Sequence, residues 1–105
     1  MGMFVIRIQL TDANNYRELH KAMAARGFST LIKMSDGKRY KMPHAEYFFQ
    51  DATSTTEEVH TKAQAALAAV EDENAIAFTC KVETIIASNL KQPDIGSILL
   101  QLSSS

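Results

Sequence analysis

The groups with chemistry to offer in this 105-residue chain are few: three histidines, one cysteine, Asp12, and a cluster of cations around an Asp-Gly dipeptide. His44 follows Pro43 and shares a short stretch of chain with Arg39 and Lys41. An imidazole changes protonation near neutrality, so beside a fixed cation it can cleave RNA without a metal. The histidine moves the proton and the cation holds the phosphate. His44 with Lys41 or Arg39 is the best such set, while His20 and His60 read as helix-surface residues. Asp12 sits where a first strand hands over to a first helix, a place where a carboxylate is held rigidly. Two copies converging across a two-fold axis could hold Mg²⁺ and activate a water for phosphodiester hydrolysis. The alternative for Asp12 is a helix N-cap and nothing more.

Lys33, Lys38, Arg39 and Lys41 lie close together and are opposed only by Asp36. Tyr40, His44, Tyr47 and Phe48 interleave with them. Cations beside aromatic faces suit single-stranded nucleic acid, because phosphates meet the charges and bases stack. The alternative is a hairpin tip solvated by lysine, with charge guarding an edge strand. Cys80 is the single cysteine, so it closes no internal disulfide and joins no thiolate cluster. Alternation puts it inward with Ile76, Phe78 and Val82. There is no P-loop, no GxGxxG, no HExxH and no nucleophile elbow.

The elements that must position these residues follow from periodicity. Met3–Leu10 alternates, with Phe4, Ile6, Ile8 and Leu10 on one face and Val5, Arg7 and Gln9 on the other. Thr11-Asp12 caps a helix carrying Tyr16, Leu19 and Met23, and Gly27 stops it. Phe28–Met34 is a second strand, joined through Asp36-Gly37, the favoured type I′ pair, to a third strand over Lys38–Phe49 that Pro43 interrupts. Ser54 with Glu57 offers a capping box for a helix with Val59, Ala63, Ala66, Leu67 and Val70 inward. Glu71, Asp72 and Glu73 oppose that helix's dipole, which predicts a frayed end. A fourth strand covers Ala75–Ala87, a fifth Ser97–Leu102, and Ser103-Ser104-Ser105 reads as a disordered tail.

The order is β-α-β-β-α-β plus a short C-terminal strand. Two helices with one apolar stripe each cover one sheet face, an α+β sandwich of ferredoxin-like type formed by a single domain over 1–102. The open face then collects Val5, Arg7, Gln9, Leu31, Lys33, Thr79, Lys81 and Glu83, with Arg39 and Lys41 as further candidates.

Composition sets the outer bounds. Hydrophobic residues make up 46 % and charged residues 22 %, which excludes wholesale disorder. The net charge of −1 excludes a globally basic coat protein, yet residues 1–50 hold eight basic and four acidic side chains while 51–105 hold three and eight. A near-neutral chain with a basic half can still bind a polyanion locally. No apolar run approaches membrane length and no signal peptide is evident, so a cytoplasmic, non-membrane protein is expected.

The stretches Met3-Phe4-Val5-Ile6-Arg7-Ile8, Tyr16-Arg17-Glu18-Leu19-His20-Lys21-Ala22-Met23 and Arg26-Gly27-Phe28 resemble a family of small bacterial proteins grouped with GhoS. So does Asp36-Gly37-Lys38-Arg39-Tyr40-Lys41-Met42-Pro43-His44-Ala45-Glu46-Tyr47. The resemblance covers about residues 3–87. It implies a Cas2-like ferredoxin fold, usually dimeric, and a type V antitoxin that acts as an endoribonuclease on a toxin's messenger RNA. Where Cas2-type enzymes carry a metal-binding aspartate inside or at the end of the first strand, this chain has Gln9 and Leu10, and Asp12 follows two residues later. That departure moves weight from a metal to the basic hairpin.

Two functions remain in view. One is an RNA-binding endoribonuclease, with Arg7, Lys33, Lys38, Arg39 and Lys41 on phosphates, Tyr40 stacking, and Asp12 or His44 catalytic. The other is a non-catalytic dimeric interaction module that uses the open face or the C-terminal strand.

Overall fold

A computed structural model describes residues 2–92 of the chain. The elements run β1 (Gly2–Gln9), α1 (Tyr16–Ala24), β2 (Leu31–Lys33), β3 (Arg39–Lys41), β4 (Glu46–Asp51), α2 (Thr56–Leu67) and β5 (Ile76–Val82), with 3-10 turns at Ala13–Asn15 and Ala68–Val70. The expected strand Ser97–Leu102 and tail 103–105 lie outside the described residues.

β1 occupies the middle of a three-stranded antiparallel sheet, order β4-β1-β5. Its alternation decides the layers. Phe4, Ile6 and Ile8 are buried beneath the helices, and Val5, Arg7 and Gln9 point to the open side. β2 and β3 form a separate two-stranded sheet, tied to β4 by the Ser29–Phe48 bridge. Spatial order is therefore β5-β1-β4 followed by the β2 segment. This is the α+β, ferredoxin-like arrangement that the element order predicts.

Each helix closes the core with a short stripe. α1 supplies Leu19 and Met23, and α2 supplies Val59, Ala63 and Ala66, with Val70 from the turn after it. The small residues of α2 let it lie close to the sheet. Tyr47, Phe4 and Phe28 are the largest fully buried side chains between the layers. Phe49 lies between the other two rings, with centroids 4.8 Å from Phe28 and 6.2 Å from Phe4.

Several expectations need correction. The stretch expected as one interrupted third strand is two strands in different sheets, because residues 42–45 turn the chain: Glu46 N–H donates to the Pro43 carbonyl at 3.1 Å, and Ala45 holds φ +68. The hairpin is not a two-residue type I′ turn. Gly37 N–H donates to Met34, Met34 N–H donates to Lys38, and only Gly37 (φ +80) has positive φ, a three-residue loop with a glycine bulge. The capping box sits one residue later than expected. The Thr55 hydroxyl accepts from Glu58 N–H at 3.1 Å, and the Glu58 carboxylate accepts from Thr55 N–H at 2.8 Å. Ser54 instead donates to Asp51.

The largest correction concerns β5. It ends at Val82, and its faces are opposite to the expectation. β1 pairs Ile8 with Ala77, Ile6 with Thr79 and Phe4 with Lys81, so Thr79 and Lys81 belong to the helix side. Lys81 Nζ lies 6.0 Å from the Phe4 ring centre, on that same side. Ile76, Phe78, Cys80 and Val82 join Arg7 and Val5 on the open face. Ile76 remains 62 % exposed and Phe78 59 % exposed. The register is set by β1, whose larger apolar face has to be covered, and the alternation within β5 yields to it. Leu31, expected on the open face, is buried.

Candidate functional site

The residues of α1 that do not enter the core form a polar stripe. Arg17, His20, Lys21 and Ala24 stand three or four apart and share one helical face beside the buried Leu19–Met23 face. Against this stripe comes the chain between β3 and β4. Pro43 ends β3, and Ala45 accepts the left-handed conformation that reverses the backbone. Ile8 N–H donates to the Ala45 carbonyl at 3.0 Å, which anchors the reversal to β1. A positive φ at a non-glycine residue costs about 1 kcal/mol or more, and the packing around buried Ala45 holds it.

The result is an open cleft of about 460 Å³, with Arg17, His20 and Lys21 on one wall and Lys41, His44 and Glu46 on the other. Two histidines and three cations therefore face one space. The His44 ring packs on Tyr16, with centroids 4.6 Å apart and planes inclined at 59°. Tyr16 is itself fixed, because its hydroxyl accepts from Leu10 N–H at 3.0 Å. His20 Nδ1 lies 2.6 Å from the Tyr47 hydroxyl, and its ring meets the Tyr47 ring edge-on at 5.5 Å. Burial, and then the nearby charge of His44, hold the His20 imidazole below its ordinary pKa. Burial, and then Tyr16, push the Tyr47 phenol well above its usual range, so it stays protonated. Lys21 makes a 3.7 Å pair with Glu18 that is open to solvent and therefore weak.

The residues expected from sequence divide between this cleft and other places. His44 and Lys41 are brought together in it, as their spacing suggests. His20 was expected on the surface and is instead half-buried against Tyr47; its partners Arg17 and Lys21 were not singled out at all. The signal that could have found them is the 17/20/21 spacing on a helix whose other face is apolar. His60 is also half-buried, with Nδ1 2.7 Å from the Thr79 hydroxyl.

Lys33, Lys38 and Arg39 stand exposed on the hairpin. Tyr40 turns its hydroxyl to Asp36 at 2.6 Å, and Asp36 also accepts from Lys38 N–H at 2.8 Å. The Tyr40 hydroxyl and then that N–H lower the Asp36 carboxyl's pKa, and the same contact raises that of the Tyr40 phenol. Arg7 on the open face pairs with Glu46 at 3.4 Å.

Asp12 caps the 3-10 turn, accepting from Asn14 N–H at 2.9 Å. Its neighbour Asp72 is taken up by Thr11, accepting from the backbone N–H and from the hydroxyl, both at 2.7 Å. These bonds hold the Asp72 carboxyl below its usual range. An acid expected to fray the end of α2 thus ties the chain beyond that end to the segment that follows β1. Among the described residues no three His, Cys, Asp or Glu side chains are grouped to hold a metal ion. The acids around Asp12 within one chain therefore do not fit Mg²⁺. No helix among the described residues is long and apolar enough to cross a membrane.

Comparison with known proteins returned no matching family model, no matching curated protein and no matching solved structure.

Proposed function

We propose that the chain is an RNA-binding endoribonuclease of the antitoxin kind that cleaves within the cleft between α1 and residues 41–46. The observation that supports this reading is the meeting of His20 and His44 with Arg17, Lys21 and Lys41 around one open space. Three guanidinium or ammonium groups suit a phosphodiester, and RNA carries its own nucleophile in the 2′-hydroxyl. His44, exposed at the cleft mouth, takes the 2′-hydroxyl proton as the oxygen attacks phosphorus. The bond to the 5′-oxygen breaks, and the same imidazolium returns the proton to that leaving oxygen. The products are a 2′,3′-cyclic phosphate and a 5′-hydroxyl, with atoms and charge balanced. The cations stabilise the extra negative charge on the phosphorane oxygens. The toxin transcript as target rests on the resemblance to the GhoS family alone.

The test is incubation of the full chain with single-stranded RNA and with the matching DNA, in EDTA and in Mg²⁺, beside His44→Ala. Cleavage of RNA but not DNA, retained in EDTA and lost by about 10²-fold or more in His44→Ala, supports the reading. Cleavage that requires Mg²⁺ and survives His44→Ala overturns it.

A second reading, the non-catalytic dimeric module, is favoured by a different observation: Ile76 and Phe78 are largely exposed on the open sheet face. It is tested by sedimentation velocity. A concentration-dependent dimer lost in Phe78→Lys supports it, and a monomer at all concentrations counts against it.

A further inference from the structure

We propose that the Tyr47 hydroxyl donates to His20 Nδ1 and so fixes His20 as a neutral imidazole that offers its Nε2–H to an anionic oxygen in the cleft. The role in catalysis rests on the cleavage reading above; the tautomer does not. Tyr47 is fully buried, so water does not reach its hydroxyl, and its partner among the described residues is His20 Nδ1 at 2.6 Å. A phenol has one proton to place. If Nδ1 carried a hydrogen, it would occupy the contact as donor and the phenolic proton would lie buried without an acceptor. Leaving a buried donor unmade costs on the order of 1–3 kcal/mol. If Nδ1 is the acceptor, the phenolic proton has its partner, and no buried side-chain N or O atom among the described residues lacks one.

The ring's remaining nitrogen is then Nε2–H, and His20 lines the cleft with that nitrogen left for it. The surroundings oppose a second proton. Arg17 and Lys21 flank His20 on its own helix, Lys41 and His44 face it from the other wall, and Glu46 is the one acid lining the cleft among the described residues. Lowering of the His20 pKa by burial and by His44 agrees with this arrangement. A neutral imidazole does not give up Nε2–H at ordinary pH, so His20 moves no proton. It hydrogen-bonds a phosphate oxygen and strengthens that bond as charge gathers there. The two histidines thus have different tasks, His44 proton transfer and His20 charge stabilisation, and Tyr47 is a positioning residue.

The experiment is two-bond ¹⁵N–¹H correlation of the histidine rings in the full chain at neutral pH, for the wild type and for Tyr47→Phe. The wild type is expected to show His20 neutral with hydrogen on Nε2 and a bare Nδ1. Tyr47→Phe is expected to show mixed tautomers at His20 with His44 unchanged. Adding an uncleavable 2′-deoxy oligonucleotide to the wild type is expected to move the His20 Nε2–H resonance. His20→Ala is expected to lower kcat about 10²-fold with little change in KM. A His20 Nδ1–H tautomer or an imidazolium in the wild type overturns the proposal whether or not Tyr47→Phe folds. So does an Nε2–H resonance unmoved by the bound oligonucleotide. The expected tautomer and oligonucleotide shift in a chain that cuts no RNA would instead refute the cleavage reading and leave the Tyr47–His20 assignment supported.

Discussion

Salt dependence distinguishes the cleft from the hairpin as the RNA-binding surface. Each phosphate neutralised by a protein cation releases bound counterions, and for single strands log K falls with log [salt] at a slope of about −0.7 per contact. Arg17, Lys21 and Lys41 line the cleft, whereas Lys33, Lys38 and Arg39 stand on the hairpin. If the cleft alone grips the strand, three contacts give a slope of about −2, and affinity falls roughly 20-fold between 50 and 200 mM salt. If the hairpin joins in, six contacts give a slope of about −4 and a loss of roughly 300-fold. Fluorescence anisotropy with a short labelled RNA, His44→Ala being used to prevent cleavage, measures the slope directly. The cleft account predicts the shallower value. Lys21→Ala should flatten it by about 0.7, and Lys33→Ala should leave it unchanged. A slope near zero, or one indifferent to Lys21→Ala, refutes the reasoning.

Thr55→Ala removes the capping box of α2 and should lower the unfolding free energy by about 1 kcal/mol in urea titration; an unchanged midpoint would contradict the box. Gly27 holds φ +88, and an added Cβ would sit 3.3 Å from Phe49 Cε1, so Gly27→Ala should cost about 1 kcal/mol or more and lower Tm by roughly 4–8 °C. His20 has a folded-state pKa below its ordinary 6.5, so the unfolded chain binds the extra proton first as pH falls. Its contribution is fully present above pH 6.5, is lost as pH falls towards the folded-state value, and changes no further below it. Stability measured in urea between about pH 8 and 5 should show this decline in the wild type and a smaller one in His20→Gln. Equal declines would mean that His20 is not held neutral.

The layers of the fold were legible because β1 and the two helices state their buried faces without ambiguity. Phe4, Ile6 and Ile8 alternate cleanly, and Leu19 with Met23 recur at helical spacing. β5 misled because its own bulky residues, Ile76 and Phe78, alternate as if they were the core. The face turned to the helices carries Ala77, Thr79 and Lys81 instead, and pairing with β1 fixes that phase. A strand's alternation gives its two faces but not which one is buried when its neighbour has already filled the core.

The site was half legible for a related reason. Lys41 and His44 lie close in sequence, so their approach needed only a turn. His20 joins them through the reversal at Ala45, a positive φ at a residue type that gives no sign of it. Its depth comes from Tyr47, 27 residues away, whose side chain passes through the core to reach Nδ1. The capping box illustrates the limit at short range: Ser54/Glu57 and Thr55/Glu58 satisfy the same pattern, and the hydrogen bond from Ser54 to Asp51 decides between them.

The chemistry of the cut end tests the central claim most directly. A 5′-labelled RNA incubated with the full chain in excess EDTA should yield fragments ending in a 2′,3′-cyclic phosphate, with His44→Ala about 10²-fold slower or worse. Fragments ending in a 3′-hydroxyl, or an intact RNA after prolonged incubation, would contradict cleavage by the 2′-hydroxyl in the His20–His44 cleft.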